Sequence, residues 1–479
     1  MTKLPWEALK TYQHLDSSMF KTADIKQFAQ PQRLLSNTAL AQSIDFDLDW
    51  FNSSASDAFF CGKNLDASIQ PIAQAYAGHQ FGHFTILGDG RAILLSEYKN
   101  KNDHIYDIHL KGAGPTIYSR RGDGLATLRS MLKEYVYSEA MHGLGIPTSR
   151  SLALFLTGET VQRERVHPGA FLVRMASSHI RIGTFQFARL QSNEVLKQLA
   201  NYSIKRHYPD LLDTDNPYLG LLEKVIDQQA SLIAQWMSVG FIHGVMNTDN
   251  SSISGETIDY GPCAFLDEYD LHTVFSSIDQ SGRYAYGNQA NIIQWNLCRL
   301  AESLLPLINP DSEDQAVEQA TAALKNFSTI FEQKRNQLFC KKIGIDVVDE
   351  KSLQLVNDLL TLMQSEKLDF THTFQQLSMG LVPHLALLAW QSHWEKHLNY
   401  LNHNKEEALV VMRSNNPVVI ARNHVLEEIY NKVESTGDLS KLHDAIDTLR
   451  QPYNQSNLGH HLSLPRPTGT KPTVTYCGT

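Results

Sequence analysis

What the sequence lacks sets the first limits on its class. No stretch approaches the roughly 20 apolar residues that a membrane-spanning helix needs. The N-terminus has neither the apolar centre of a secretory signal nor the arginines of a transit peptide. Cysteine is scarce, with five in 479 residues, and the five form no CxxC pair and no metal-ligand spacing. We therefore expect a cytoplasmic protein in a reducing compartment.

A basic charge excess is absent as well. The chain has 42 Lys and Arg against 51 Asp and Glu, a formal net charge of -9. This balance favours neither nucleic acid nor anionic membrane as a partner, and we expect neither. What is present is ordinary for a globular protein with a large core: 42% hydrophobic and 19% charged residues. The length fits one large domain or two to three smaller ones.

The most informative stretch surrounds a polar segment at residues 251–257. Asp249 and Asn250 precede this segment and Asp259 follows it, all among small residues that cannot form a core. Hard oxygen ligands of this kind suit Mg²⁺ or Mn²⁺, which bind through one or two carboxylates plus substrate phosphates. We predict a hairpin turn between short strands, which would bring Asn250 and Asp259 together. An ordinary polar turn is the alternative, because Asp and Asn commonly cap local backbone in loops.

Further upstream, the sequence predicts a strand, a glycine turn and a second strand. Gly88 and Gly90 form the turn, and such a turn can bring backbone N–H groups close to a phosphate. The next strand places Lys111 near its end, and an amphipathic helix from about 125 to 142 carries Glu134 beside its inward face. This order of parts, followed by a metal-binding loop, is the order in a protein kinase. Taken singly, each part also has an ordinary structural explanation.

Two arginines point to a phosphate site of an unusual kind. Arg174 and Arg181 flank a Ser-Ser pair at 177–178 that can turn the chain, so both guanidinium groups could face one site. Guanidinium pairs bidentately with phosphoryl oxygens, and an ordinary kinase needs no such pair here. Asp123 lies just before the amphipathic helix, where an acidic residue is commonly a helix cap.

The stretch from His243 to Asn250 matches the kinase pattern H-R-D-L-x-x-x-N only in part. The first His and the last Asn coincide, and Asp259-Tyr-Gly stands where Asp-Phe-Gly would. Val245 takes the place of the catalytic Asp, and its side chain cannot accept a proton. Asp249 instead precedes the metal-binding Asn. By kinase rules the site is degenerate.

Seven motifs in fixed order resemble the selenoprotein O family of kinase-like proteins over nearly the whole chain. They are Gln-Ala-Tyr-Ala-Gly-His-Gln-Phe-Gly (74–82), Leu-Gly-Asp-Gly-Arg (87–91), His-Leu-Lys-Gly-Ala-Gly (109–114), Tyr-Ser-Arg-Arg-Gly-Asp-Gly (118–124), His-Gly-Val-Met-Asn-Thr-Asp-Asn (243–250), Asp-Tyr-Gly-Pro (259–262) and Asn-Pro-Val-Val-Ile-Ala-Arg-Asn-His (416–424).

The resemblance implies an α+β, protein-kinase-like bilobal fold, with a β-rich N-lobe and a mainly helical C-lobe that carries family-specific extensions. We place the parts as follows: an N-terminal extension packed on the core (1–70), a nucleotide-binding N-lobe (71–190), a C-lobe with the catalytic and metal-binding loop (191–450) and an extended tail (451–479).

The resemblance also implies an activity. Family members look like pseudokinases but transfer AMP from ATP to Ser, Thr or Tyr of target proteins, with ATP bound in the inverted sense and pyrophosphate released. It implies Asn250 and Asp259 as ligands of Mg²⁺ or Mn²⁺, Asp249 as proton acceptor and Glu134 as the partner of Lys111. The implied nucleotide-binding residues are Gly88, Gly90, Arg91, Lys111, Asp123, Gly124, Arg174, Arg181 and Asp259. We expect a monomer that acts on protein substrates.

The family's redox control implies a role for the C-terminal cysteine. Many members carry selenocysteine or cysteine near the C-terminus, and here the position is Cys477. Cys263, just after Asp259-Tyr-Gly-Pro, is the candidate partner for a regulatory disulfide. Two unrelated free thiols are the alternative.

Two other functions compete with AMP transfer. An ordinary kinase is disfavoured by Val245 and by the pair Arg174 and Arg181. A catalytically inactive nucleotide-binding scaffold is disfavoured by the intact set of Lys111, Glu134 and the metal ligands, which an inactive scaffold need not keep.

Overall fold

The computed structural model describes residues 4–467 and 469–470, and every structural statement below concerns these residues. The strands are β1 (Phe20–Thr22), β2 (Gln32–Ser36), β3 (Ile72–Gln74), β4 (Ala77–Gln80), β5 (His83–Ile86), β6 (Ala92–Lys99), β7 (Ile105–Lys111), β8 (Ala126–Thr127), β9 (Arg150–Gln162), β10 (Val166–Ala176), β11 (Phe241–Ile242) and β12 (Ala264–Phe265).

The helices are α1 (Thr38–Ser43), α2 (Leu48–Phe51), α3 (Ser54–Phe60), α4 (Leu128–Gly143), α5 (Ile182–Gln191), α6 (Asn193–His207), α7 (Pro217–Ser238), α8 (Gln289–Ile308), α9 (Glu313–Lys342), α10 (Glu350–Ser365), α11 (Phe370–Ser378), α12 (Leu388–Tyr400), α13 (Lys405–Asn415), α14 (Asn423–Thr436) and α15 (Ser440–Leu449). Within the described part of the chain, no helix combines the length and apolarity that crossing a membrane requires.

One antiparallel sheet dominates the N-terminal half. Its strands follow the order β1-β3-β6-β7-β10-β9-β2, with β8 added to β10. From residue 182 onward the chain is mainly helical, with the short β11–β12 pair as its only strands in the described region. The predicted α+β organisation, with a β-rich N-terminal half and a mainly helical C-terminal half, is therefore confirmed.

The two faces of the sheet have different partners, because successive side chains of a strand point to opposite sides. Ile108 and Leu110 of β7 face a cluster of aromatic side chains from residues 28–60. His109 and Lys111 alternate with them and face α4. Each fully buried Leu or Phe contributes roughly 1.5–3 kcal/mol to stability. The sheet therefore has one face covered by apolar side chains and one face that carries buried polar side chains.

The first 70 residues contain helices and strands of their own and take part in the main sheet. They form α1, α2 and α3, and they contribute β1 and β2 to the main sheet. Local capping explains the helices: Asp47 and Ser53 accept hydrogen bonds from the backbone N–H groups of Trp50 and Ser56. The domain boundaries themselves remain a prediction.

The last two helices return to α4. Arg129, in the first turn of α4, donates to Glu434 of α14 at 2.9 Å. Near the other end of α4, Glu139 is fully buried and accepts from Arg450 Nε at 2.9 Å. The helix that carries Glu134 is therefore tied to the C-terminal segment at both ends.

Three local predictions were wrong. The strand after residue 82 pairs with β4 rather than across the glycine turn with β6, which instead lies between β3 and β7. The segment 251–257 turns, but its two flanks do not pair with each other, because Ser252 bridges Arg181 and Thr257 bridges Thr148. The tail from 451 is not extended over its described part, where residues 455–457 and 461–463 form 3₁₀ turns and Leu462 is buried.

Candidate active site

The centre of the site is a buried ion cluster built on Lys111. Its Nζ lies 2.5 Å from Glu134 Oε2 and 2.6 Å from Asp259 Oδ1. Lys111 and Glu134 have side-chain exposures of 6% and 3%. Three distant positions, a strand end, a helix and a loop after β11, therefore meet at one point. The predicted pairing of Lys111 with Glu134 occurs in the structure.

Arg174 joins the cluster from the neighbouring strand. Strands β7 and β10 pair so that Arg174 lies opposite His109. His109 is two residues before Lys111 in β7, and alternate residues of a strand share a face. The side chains of Arg174, His109 and Lys111 therefore lie on one face of the sheet. Arg174 Nη1 donates to Asp259 Oδ1 at 2.7 Å and to Glu134 Oε1 at 3.1 Å. Both carboxylates are thus shared by a lysine and an arginine.

Arg181 completes the set of three cations. Its Nη2 lies 3.9 Å from Asp259 Oδ2, and its Nη1 donates to Asp89 Oδ1 at 3.4 Å. The guanidinium also lies over the Tyr76 ring, 4.2 Å from the centroid. The structure therefore brings Arg174 and Arg181 to the same carboxylate, as the Ser-Ser turn between them suggested.

His109 links the two arginines through Asp89. Arg174 Nη2 lies 3.0 Å from His109 Nδ1, and His109 Nε2 lies 3.2 Å from Asp89 Oδ2. An arginine can only donate, so Nδ1 must be the acceptor and Nε2–H the donor to Asp89. Burial lowers the pKa of His109, which agrees with this neutral form. Burial alone would raise the pKa of Asp89, but His109 and Arg181 hold it at about 2.

Asp259 is held as a carboxylate in a strained backbone. Burial opposes its ionisation, but Lys111, Arg174 and Arg181 keep its pKa well below the usual range. Its φ of 60° is in the left-handed region, which costs a residue other than glycine on the order of 1 kcal/mol or more. Strain of this kind persists where the surroundings fix the residue, as the three cations do here.

Asp249 lies beside this cluster, and one of its carboxylate oxygens has no hydrogen-bond partner among the described residues. It belongs to the 3₁₀ turn Thr248–Asn250 and is buried, and no hydrogen bond reaches its Oδ1 from any described residue. Burial raises the pKa of Asp249 to about 6, with Asp259 adding to the rise and Arg181 opposing it. A carboxylate with a raised pKa and a free oxygen has the properties of a general base.

A hairpin of β4 and β5 covers Asp249. A Cβ built on Gly78 would lie 2.2 Å from Asp249 Oδ1, so only glycine fits at this contact. The backbone N–H of His79 donates to Thr248 Oγ1 at 2.9 Å. The N–H of Phe81 donates to Asn247 Oδ1 at 3.2 Å. We call residues 77–86 the covering hairpin. The backbone of His79 therefore helps to hold the covering hairpin on the catalytic loop.

Asn250 and Asp259 supply hard oxygen donors. Asn250 Nδ2 donates to the Val245 carbonyl at 3.0 Å, which fixes the amide and leaves its oxygen as the acceptor end. Among the described residues, the one contact of Asp259 Oδ2 is the 3.9 Å approach of Arg181 Nη2. No group of three or more His, Cys, Asp and Glu residues poised for an ion occurs in the described part of the chain. Two such oxygens nevertheless fit Mg²⁺ or Mn²⁺, which take most remaining ligands from water and substrate phosphates.

Other predicted nucleotide residues lie around the cluster rather than in it. Asp123 pairs with Arg163 at 2.8 and 3.0 Å, and neither Asp123 nor Gly124 bonds to the cluster. Gly88 is packed against the Tyr118 ring, while the carbonyl of Gly90 accepts from the Ser119 hydroxyl.

Arg91 ends the loop that holds Gly88 and Gly90, and its carbonyl accepts from the Gly112 N–H at 2.7 Å. The glycine turn and the 112–124 loop are therefore joined by hydrogen bonds beside the site.

The proposed disulfide partner is poorly placed for oxidation. Cys263 is fully buried, and burial raises the pKa of its thiol to about 12, so it carries no thiolate at neutral pH in this arrangement. Cys477 lies outside the described residues. The pairing remains a hypothesis.

Sequence reasoning missed Asp89, His109 and Tyr76, which orient the two arginines. One signal was available: His109 is two residues from Lys111 in an alternating strand and so had to share its face. Asp89 carried none, because an Asp between two glycines is typical of any turn.

A sheet lysine paired with a helix glutamate, with an Asp from a loop of the helical half, defines a protein-kinase-like enzyme. Arginines 174 and 181 and the replacement of the catalytic Asp by Val245 set it apart from ordinary kinases. The profile of the family described as Protein adenylyltransferase SelO matches residues 4–450. The chain therefore belongs to the protein adenylyltransferase SelO family and is a nucleotidyltransferase.

Curated relatives agree with this assignment. Protein nucleotidyltransferase YdiU of Clostridium perfringens (strain 13 / Type A) is 48% identical over 477 residues, 98% of this chain and 97% of the relative. The protein of the same name from Halalkalibacterium halodurans is 47% identical over 483 residues, 99% and 98% of the two chains. A kinase domain of a Toxoplasma gondii rhoptry antigen covers 61% of this chain and 88% of its own, with 9% identity and a TM-score of 0.22, a likeness too low to support an inference.

Proposed function

We propose that this enzyme transfers AMP from ATP to Ser, Thr or Tyr hydroxyls of target proteins. The acceptor oxygen attacks the α-phosphorus, the bond between the α-phosphorus and the bridging oxygen breaks, and pyrophosphate leaves with the electron pair. The observation that carries the proposal is the convergence of Lys111, Arg174 and Arg181 on Asp259. Three cations at one point suit a leaving group with several negative charges.

The proposed roles follow from the contacts. Lys111, Arg174 and Arg181 bind the β- and γ-phosphates of an inverted ATP, with Glu134 holding Lys111. Asn250 and Asp259 hold Mg²⁺ or Mn²⁺, which would neutralise phosphate charge. The predicted loop residues Gly88, Gly90, Arg91, Asp123 and Gly124 line the nucleotide site. The same proposal includes either Mg²⁺ or Mn²⁺ as the metal, a monomeric protein and a cytoplasmic location.

Asp249 is the proposed proton acceptor. Its free Oδ1 and raised pKa suit removal of the acceptor's hydroxyl proton as the bond to phosphorus forms. The covering hairpin stands between this oxygen and solvent, since Gly78 lies directly against it. We include in the proposal a movement of the covering hairpin that opens this oxygen to the acceptor hydroxyl.

The test asks which phosphate of ATP is transferred to protein. Purified protein, Mg²⁺ or Mn²⁺ and a reduced cell lysate are incubated with ATP labelled at either the α- or the γ-phosphate. Protein labelled from the α-phosphate alone is the expected result. Label from the γ-phosphate alone would establish a kinase, and binding of ATP without either label would establish a scaffold.

A matched pair of variants sharpens this test. Asp259→Asn removes the charge that meets the three cations and should reduce labelling by roughly 10²-fold or more. Asp213→Asn makes the same chemical change at an exposed turn and should label like the wild type. Equal loss in both variants would mean that the label does not report on this site.

A further inference from the structure

Two buried histidine rings stack on each other next to the ion cluster. The ring centroids of His109 and His179 are 4.1 Å apart, with an angle of 20° between the planes. Both side chains are fully buried. His179 belongs to the short segment between Arg174 and Arg181, and it lies two residues before Arg181. The stack therefore joins this segment to the site face of β7.

His179 is fixed to β7 by the carboxylate of Asp107. One oxygen of Asp107 accepts from the backbone N–H of His179 at 2.9 Å and lies 3.0 Å from the ring Nδ1. The other oxygen accepts from Arg206 Nη2 at 2.7 Å. A carboxylate paired with an arginine can only accept, so the Nδ1 of His179 carries the proton. The backbone and the ring of His179 are thus held by the same atom.

The second nitrogen of the His179 ring shows that this residue does more than stabilise the fold. Its Nε2 is buried and has no hydrogen-bond partner among the described residues. Burial lowers the pKa of His179 well below its usual value, so the ring is neutral and Nε2 is an unpaired acceptor. A buried polar atom without a partner is unfavourable. Phenylalanine would avoid this atom, and asparagine could keep the bond to Asp107 without it. Histidine alone provides both the flat ring and the fixed bond.

The plane of the His109 ring decides how well both of its hydrogen bonds are made. Its Nδ1 accepts from Arg174 at 3.0 Å, and its Nε2–H donates to Asp89 at 3.2 Å. Both nitrogens bond in the plane of the ring, so a tilt of the ring weakens both bonds. The outer torsion of a histidine side chain has only broad preferences and does not fix this plane. The His179 ring, packed on the face of His109, opposes such a tilt.

We propose that His179 is a positioning residue for the phosphates of the nucleotide. Its ring fixes the plane of His109, and His109 holds Arg174 directly and Arg181 through Asp89. The inference rests on the proposed function, in which the two arginines bind the β- and γ-phosphates of ATP. His179 acts only through these side chains.

Two variants separate the ring of His179 from its hydrogen bond. His179→Phe keeps a flat ring and removes the bond to Asp107, whereas His179→Asn keeps an N–H near the position of Nδ1 and removes the ring. Calorimetric titration of the full chain with ATP and Mg²⁺ gives the dissociation constants. We expect binding to be roughly 10- to 100-fold weaker in His179→Asn and within about 3-fold of the wild type in His179→Phe, because only the loss of the ring lets the guanidinium groups move.

Two further variants control for folding and for general loss of stability. His179→Gln also lacks the ring, and it should weaken ATP binding as His179→Asn does, so the test does not depend on the folding of one variant. His397→Asn makes the same change at a buried histidine of α12, which contacts the Ser352 hydroxyl at 3.0 Å and stacks on Tyr400. It should lower the melting temperature and leave the dissociation constant of ATP unchanged.

The proposal is overturned if a folded variant without the ring binds ATP like the wild type. It is also overturned if His179→Phe loses as much affinity as His179→Asn, since the stack would then not be what positions the arginines. Equal weakening in His397→Asn would trace the effect to stability and overturn it too. Transfer of AMP is measured separately, so a wild type that binds ATP without transferring the α-phosphate would overturn the proposed function alone.

Discussion

Gly78 lies against the carboxylate of Asp249 so closely that no side chain fits between them. A Cβ at position 78 would stand 2.2 Å from Asp249 Oδ1 and 2.7 Å from Leu87 Cδ1. This contact joins the covering hairpin to the proposed proton acceptor. The main consequence is that the hairpin and the catalytic loop cannot both keep their present positions if position 78 changes.

Gly78→Ala should therefore open the covering hairpin. We expect faster hydrogen exchange of the backbone amides of His79 and Phe81, because their hydrogen bonds to the catalytic loop break when the hairpin shifts. Exchange followed by mass spectrometry of peptides from residues 77–86 measures this. Gly145→Ala is the control, since a Cβ there meets nothing within 4 Å and adds only backbone strain. Similar exchange of the hairpin in both variants would contradict the prediction.

Asp249→Asn should separate binding from chemistry. The amide has the shape of the carboxyl group but cannot accept the hydroxyl proton, so we expect AMP transfer to fall by ~10²–10⁴. The affinity for ATP, measured by calorimetry, should stay near the wild-type value. Single-turnover labelling from the α-phosphate gives the rate. Unchanged labelling would mean that another group takes the proton.

Asp89→Asn should weaken nucleotide binding through the arginines. The carboxylate of Asp89 accepts from both His109 and Arg181, so its neutralisation loosens a guanidinium that faces Asp259. Loss of a hydrogen bond to a charged group costs about 1.5–3 kcal/mol, and we expect ATP to bind roughly 10- to 100-fold more weakly.

Calorimetric titration with ATP measures that change. An effect of Asp89→Asn on melting temperature alone, with the dissociation constant of ATP unchanged, would reduce Asp89 to a structural residue. Asp213→Asn again serves as the matched control.

Lys342→Met should stabilise the protein, and the gain should depend on pH. In the folded protein the pKa of Lys342 is about 7, against 10.5 for the unfolded chain. Between these values the unfolded state binds the extra proton, so wild-type stability rises with pH there. Below about pH 7 the cost of the buried cation is present in full.

The advantage of Lys342→Met should thus be largest below pH 7 and shrink steadily towards pH 10. Urea unfolding at pH 6 and pH 9 measures the difference in the free energy of unfolding. An advantage that is equal at both pH values would show that the folded amine does not titrate in this range.

The parts of the site that share a local pattern were predictable from sequence. Lys111 ends an alternating strand and Glu134 lies beside the apolar stripe of a helix, and both patterns are visible within a single element. Asp259 was predictable from its Asp-Tyr-Gly context. These residues form the centre of the cluster.

The rest depended on contacts between distant segments. Asp89 acquires its role only from His109 and Arg181, which are 20 and 92 residues away. Strand β5 has the composition of a partner for β6, yet it pairs with β4, because the chain folds back over the catalytic loop. Strands as short as β1, with three residues, carry too little pattern to be recognised alone. The periodicity of a sequence does not indicate which strands pair or which distant residues meet.

The attachment of α4 at both ends has a consequence for regulation. Many switches work by swinging a helix outward so that its glutamate leaves the lysine. Here Arg129 and Glu139 anchor the two ends of that helix to the C-terminal segment, so an outward swing would have to break a buried ion pair at Glu139. These contacts therefore oppose an outward swing of α4 and favour the pairing of Glu134 with Lys111.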